Sequence, residues 1–221
     1  MGKSKSRSLL RELPILVVVA LIVSVIVKTF FVQFFYIPSG SMENTLKVND
    51  RVAVNKLGNF FSEVDRGDVV VFRDTAGWLP SESTNFDNSL SDRVKSLFVF
   101  VGILPDPSKQ YLIKRVIGVG GDQIVCCDEG DKLTVNGEAI DEPYVFPGDK
   151  ASDSKFEVTV PEGYLWVMGD HRGASADSRF HTDDANKGFV PVSAVTGRAV
   201  AIVWPLKNID ALSNFSGLTK K

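Results

Sequence analysis

The sequence predicts a mainly β protein: a single N-terminal transmembrane helix followed by an antiparallel all-β domain with a small β insertion. Three observations carry this. A basic N-terminal stretch precedes an apolar run at 13–27; from residue 51 onward the apolar segments are short, rich in branched side chains and broken by Gly and Pro; and Asn136-Gly137 supplies a tight hairpin turn. With 221 residues, 44% of them hydrophobic and 24% charged, the chain can bury a core and is too apolar to be disordered.

The helix comes first. Lys3, Lys5, Arg7 and Arg11 precede the apolar run, and Glu12 is the only acid before it, a positive-inside pattern that puts the N-terminus in the cytoplasm. A run of 15 residues makes about 22 Å of helix, short of the roughly 30 Å hydrocarbon core. Lys28 can snorkel, and Phe30, Phe31, Phe34, Phe35 and Tyr36 supply an aromatic interface on the far side. The anchor is therefore expected over 13–36, after a cytoplasmic segment 1–12, with everything beyond Tyr36 outside the plasma membrane. A cleavable secretory signal fits the basic and apolar regions equally well, but 29–37 is bulky and aromatic and holds no A-x-A-like cleavage site.

The strands follow in order at 51–56, 68–73, 111–119, 123–127, 133–135, 138–140, 156–160, 164–169 and 197–204, within a domain spanning 37–207 whose insertion covers 123–165. The Asn-Gly pair between the fifth and sixth suits a type I′ turn, which needs positive φ at both central residues. Residues 75–109, rich in Ser, Asp and Pro, read as a long excursion; its apolar insert at 97–104 reads as core strand or as a patch resting on lipid. The polar stretch 208–221 is expected to be a flexible tail.

The charge balance, 25 Lys and Arg against 27 Asp and Glu, leaves no broad basic face for nucleic acid. Two cysteines, adjacent at Cys126 and Cys127, cannot be a disulfide framework or a four-ligand zinc site, the only histidines are His171 and His181, and no structural metal is expected. Outside the membrane the adjacent cysteines can close a vicinal disulfide or stay free, in either case structural in the β insertion.

Three segments could do chemistry. Ile37-Pro38-Ser39-Gly40-Ser41-Met42 sits directly after the anchor, where Pro and Gly bracket a turn able to present a serine hydroxyl, although Pro-Ser-Gly-Ser alone is also linker chemistry. In the strand Tyr111-Leu112-Ile113-Lys114-Arg115-Val116-Ile117-Gly118, Lys114 shares a face with Leu112 and Val116. An ammonium in apolar surroundings loses hydration, its pKa falls, and the neutral amine can take a proton from a serine; Arg115 cannot, because it stays charged. The polar run from Gly169 to Arg179 follows an apolar strand, a usual place for functional loops.

These segments together resemble the type I bacterial signal peptidases, membrane-anchored serine proteases with a Ser/Lys dyad that remove signal peptides from exported proteins. The similarity runs through ordered blocks: Pro38-Ser-Gly-Ser-Met42 with Thr45-Leu46, Arg66-Gly-Asp-Val-Val-Val-Phe72, Lys114-Arg-Val-Ile-Gly118 to Gly121-Asp122, and Gly169-Asp-His-Arg through Ser175-Ala-Asp-Ser-Arg179. The resemblance implies Ser41 as nucleophile and Lys114 as general base. It implies an oxyanion hole from the Ser41 backbone N–H and the Ser39 hydroxyl, and Ser175 hydrogen-bonded to the lysine. Asp177 and Arg179 are implied as a supporting ion pair, with Arg115 beside the base. The substrate peptide, with small residues at the first and third positions before the cut, is implied to lie as an added strand along Phe35, Tyr36, Ile37, Leu112 and Ile113. Ile37, Met42, Leu46 and Ile113 are then expected to wall its shallow pockets. No cofactor is implied; the expected partners are preproteins carrying signal peptides, the lipid bilayer and the secretion translocon.

Two other readings remain. His171 or His181 could serve as base in a Ser/His/Asp hydrolase. Arg66-Gly67-Asp68 could belong to a non-catalytic, membrane-anchored binding or adhesion protein. A dinucleotide loop is absent: Gly118-Val119-Gly120-Gly121-Asp122-Gln123 lacks the final glycine of that fingerprint.

Overall fold

The computed structural model describes residues 5–56, 63–80, 110–213 and 215. One helix, α1 (Lys5–Phe30), precedes twelve strands: β1 (Val32–Tyr36), β2 (Arg51–Asn55), β3 (Val69–Arg73), β4 (Tyr111–Val119), β5 (Gln123–Cys126), β6 (Leu133–Val135), β7 (Glu138–Ala139), β8 (Phe156–Thr159), β9 (Tyr164–Met168), β10 (Val190–Pro191), β11 (Val195–Trp204) and β12 (Asp210–Ala211). All pairings among the described residues are antiparallel. The large sheet runs β1-β2-β11-β3-β4-β9-β10 with β12 on β11, and the small sheet runs β7-β6-β5-β8.

The expected mainly β, antiparallel architecture is what forms. The nine expected strands are present, most within one or two residues of their expected ends. Asn136 and Gly137 have φ of 54° and 83°, as the β6–β7 turn demands.

Two expectations are corrected. The anchor was expected to continue to Tyr36, but the helix ends at Phe30 and Val32–Tyr36 is a strand paired along its whole length with β2. An aromatic run that suits a membrane interface suits an edge strand just as well, because both want bulky apolar side chains. The tail expected from 208 is anchored as far as Leu212: β12 pairs with Ala201 and Ile202, and the Leu212 N–H donates to the Val200 carbonyl. The apolar insert at 97–104 lies outside the described residues.

The side chains of α1 are described over 12–24, where Leu13, Ile15, Leu16, Leu21 and Ile22 are exposed. Among the described residues no helix is long and apolar enough to cross a membrane.

The β3 and β9 runs are apolar without alternation because both faces are covered. Val69 and Val71 join Ile37, Met42, Leu46, Val52 and Val54 on one side, while Val70 and Phe72 meet Val116, Leu165 and Val167 on the other. A third cluster joins Ile117, Trp166 and Met168 to the small sheet through Ile124, Leu133 and Val135. The Phe35 ring stands edge-on to Tyr111 with centroids 5.0 Å apart. Three strands separate β1 from β4 in the sheet order, so this contact requires the sheet to curl, and it places the end of β1 beside the start of β4. Cys126 and Cys127 are joined as a vicinal disulfide at the end of β5.

Candidate active site

Ser41 sits on a turn that leaves β1. The Ile37 N–H donates to the Asp50 carbonyl and the Asn49 N–H to the Ile37 carbonyl, closing the loop 37–50 at its base. Within it, Glu43 N–H bonds the Gly40 carbonyl and Leu46 N–H the Met42 carbonyl, while Met42 and Leu46 are fully buried. The Ser41 carbonyl accepts from the His171 N–H at 3.2 Å, which docks this turn onto the loop after β9. That approach requires Gly169 to lack a side chain: a Cβ there meets the Ser41 carbonyl oxygen at 2.4 Å and Ser175 Oγ at 2.3 Å.

Lys114 projects from β4 toward this turn. Its Nζ lies 2.7 Å from Ser41 Oγ, with Lys114 3% and Ser41 6% exposed. Burial pushes the Lys114 amine down from 10.5 to about 8; Asp177 and Asp170 pull the other way and Arg179 adds to the fall. Ser39 Oγ is 3.4 Å from Ser41 Oγ, on the opening of the turn.

Around the pair stands a set of buried ion pairs. Asp177 accepts from Arg179 Nε at 2.8 Å and Nη2 at 2.9 Å, and from the Gly169 N–H at 2.9 Å. Arg115 has no exposed surface. Its Nε and Nη2 bond the two Asp170 oxygens at 2.9 and 2.7 Å, its Nη1 donates to the Gly67 carbonyl at 2.7 Å, and Thr45 bridges Arg115 and Asp170. Arg172 donates to the carbonyls of Gly169 and Ala151 and to Glu142. Guanidinium forks suit this task because planar bidentate donors satisfy a buried carboxylate.

A groove of about 160 Å³ opens at Ser41 and Lys114, lined by Phe35, Tyr36, Ile37, Pro38 and Ser39 on one side and by Tyr111, Leu112 and Ile113 with Val71 and Leu79 on the other. The β9 partnership with β4 begins only at Arg115, so 111–114 are paired on the β3 side alone.

Most of the expected site residues therefore converge: Ser41, Lys114 and Ser39 at the head of the groove, Phe35, Tyr36, Ile37, Leu112 and Ile113 along it, and Arg115, Asp177 and Arg179 beneath. Three details differ. Met42 and Leu46 do not line the groove; they are core residues, because the turn that exposes Ser41 folds them inward. Ser175 Oγ is buried without a hydrogen-bond partner, so its expected bond to Lys114 is not formed. Asp170, to which the sequence reading assigns no role, is the partner of Arg115.

The rival readings find no support in the geometry. The His171 ring bonds Glu43 at 3.2 Å and stacks on Phe146, and the His181 ring bonds Asp184 at 2.8 Å and stacks on Trp78, so neither is engaged with Ser41 Oγ. Asp68 of the Arg-Gly-Asp tripeptide is 2% exposed and bonded to the Asp65 N–H and Arg198, and Arg66 holds Asp122. A partner cannot reach that carboxylate.

A β fold with a buried serine–lysine contact opening onto a groove has the form of a serine peptidase. The family model for signal peptidase, peptidase S26, matches residues 10–204, and the chain belongs to that family. It is similar to a probable signal peptidase I of Mycobacterium leprae, 41% identical over 231 residues, covering 92% of this chain and 79% of that protein. It is likewise similar to signal peptidase I of Mycobacterium tuberculosis, 42% identical over 219 residues and covering 90% and 74%. A probable signal peptidase I of Synechocystis is 32% identical over 206 residues, covering 92% and 77%.

Proposed function

We propose that this protein is a membrane-anchored serine endopeptidase that removes signal peptides from exported preproteins, cutting after small residues in an A-x-A-like pattern. The observation that carries the proposal is the buried 2.7 Å contact between Lys114 Nζ and Ser41 Oγ. Lys114, once neutral, takes the Ser41 hydroxyl proton as Oγ attacks the scissile carbonyl. The developing oxyanion is held by the Ser41 N–H and the Ser39 hydroxyl, donors each typically worth about 3 kcal/mol. The lysine ammonium then returns its proton to the departing amine, leaving an acyl ester on Ser41. Water, deprotonated by the same amine, attacks that ester; as the ester C–O bond breaks the ammonium gives its proton to Ser41 Oγ, and the signal peptide leaves with a free carboxylate. Neither a metal nor an organic cofactor takes part.

The substrate enters as an added strand between Phe35, Tyr36 and Ile37 and the unpaired side of 111–114, its side chains meeting the walls formed by Ile37, Ile113 and Val71. Asp177, Arg179 and Arg115 hold the base in place, and Ser175 sits in the same buried loop. In this reading the apolar run 13–27 of α1, preceded by Lys3, Lys5, Arg7 and Arg11, is the anchor, and its flanks extend it toward both membrane surfaces. Its exposed apolar side chains at 13–23 meet lipid. With its N-terminus in the cytoplasm, it places the β domain on the outer face of the plasma membrane, beside the secretion translocon that delivers its substrates.

The test is direct. Incubated in detergent or lipid with a precursor bearing an Ala-x-Ala site, the full chain is expected to cut once, directly after that site, as read by mass spectrometry of both products. Precursors that stay intact across several sequences and lipids would overturn the assignment.

A further inference from the structure

The groove has one wall that the sequence blocks do not supply. Leu79 lines it, yet belongs to the segment after β3 rather than to a strand. That segment is unusually well fixed. The Asp74 carboxylate accepts four backbone N–H groups, from Ala76 at 3.2 Å, Gly77 at 2.8 Å, Trp78 at 3.0 Å and Leu79 at 2.7 Å. Gly77, at φ 75°, allows the chain to wrap around that carboxylate. On the other flank Gln110 closes the segment against β4: the Asp74 N–H donates to the Gln110 carbonyl at 2.9 Å, and Gln110 Nε2 donates to the Pro80 carbonyl at 2.7 Å. Between these ties the Trp78 ring stacks on His181 with centroids 4.3 Å apart and meets Phe72 edge-on at 5.9 Å.

A backbone tied on both flanks holds the Leu79 side chain at one place along the groove, which is what a size limit requires. Its place along the groove identifies the position it limits. Leu79 and Tyr111 line the same groove, Pro80 is bonded to Gln110, and Tyr111 is three residues before Lys114, about 10 Å along a strand. In an extended substrate whose first residue before the cut faces the dyad, the third and fourth lie about 7 and 10 Å along the same groove, and of these two only the third shares the first residue's face. The geometry points to Leu79 as the residue that sets the size limit at the third position before the cut, with Asp74 and Trp78 as the positioning residues that hold it there. This rests on the signal peptidase reading above and adds to it a specificity determinant from outside the dyad-bearing segments.

The experiment compares kcat/KM for one precursor carrying Ala, Val, Leu or Phe at the third position, and separately at the first, using the full chain and its Leu79→Ala and Leu79→Phe variants. Leu79→Ala is expected to raise the Leu-to-Ala ratio at the third position about tenfold while leaving first-position ratios within twofold. Leu79→Phe is expected to lower the Val-to-Ala ratio at the third position by a similar factor. Asp74→Ala, which frees the four N–H groups, is expected to move the third-position ratio in the same direction as Leu79→Ala. Third-position ratios unchanged in both Leu79 variants, or a change at the first position instead, overturn the inference while wild type still cuts. If wild type cuts none of the precursors, the peptidase reading itself falls, and this inference with it.

Discussion

A lysine amine in water keeps its proton to about pH 10.4 and is no base at neutrality. Burial of Lys114 brings its pKa to about 8 against the pull of Asp177 and Asp170. The two aspartates do not neutralise the benefit because each is already committed to a guanidinium, Asp177 to Arg179 and Asp170 to Arg115. On the proposed mechanism cleavage needs the neutral amine, whose share grows as pH rises through that pKa. We predict that single-turnover kcat rises with pH, is half-maximal near 8 and levels off above it; a rate flat from pH 6 to 9 contradicts a titrating Lys114. The same shift acts on stability with a definite sign. Below about pH 8 the buried charge works against the fold, and the penalty fades as pH climbs toward the ordinary lysine value, where the unfolded chain also loses the proton. At this scale the sequence was informative for Ser41 and Lys114, because each lies in a short contiguous block whose chemistry is local. It was less so for Ser175, Met42 and Leu46. Whether a hydroxyl finds a partner, or an apolar side chain faces groove or core, depends on the path of the turn and on segments far away in sequence.

Strands and loops of this protein are tied together at Arg115. From the middle of β4 it reaches Gly67 at the entry to β3, Thr45 in the turn bearing Ser41, and Asp170 after β9, with its guanidinium 4.1 Å from the centre of the Tyr144 ring. Removing one member of a buried pair strands the other's charge, which costs about 3–5 kcal/mol, far more than the pair adds over an apolar replacement. Arg115→Met is therefore expected to lose about that much stability, read from the urea midpoint of the detergent-solubilised protein, and to lose cleavage with it; a loss under 1 kcal/mol contradicts the role as a tie. The strands themselves were legible because branched, apolar runs between Gly and Pro signals are local features. The first strand was not, since Val32–Tyr36 directly follows an apolar helix and its aromatics match an interface belt as well as a sheet edge. The strands β10 and β12, two residues each, carry too short a pattern to read and exist through their partners.

For the molecule as a whole, the sheet order decides what the site can be. Placing β1 at one edge and curling it back until Phe35 meets Tyr111 builds a groove between two segments 75 residues apart, each with one side free for an added strand. No local pattern encodes that closure; the sequence reading reached it only through the resemblance of ordered blocks, and the Leu79 wall, outside those blocks, was not legible at all. Ser41 follows the end of α1 by eleven residues, five of them in β1, so on the proposed anchoring the groove opens close to the lipid surface. The central claim is that one serine and one lysine perform the cut and neither histidine does. The most direct measurement is precursor cleavage by the full chain beside Ser41→Ala, Lys114→Ala, His171→Ala and His181→Ala, each shown to be folded and membrane-bound. The account predicts a loss of at least about a thousandfold in the first two, with cutting retained in both histidine variants. Substantial turnover by Lys114→Ala, or its abolition by His171→Ala or His181→Ala, would contradict it.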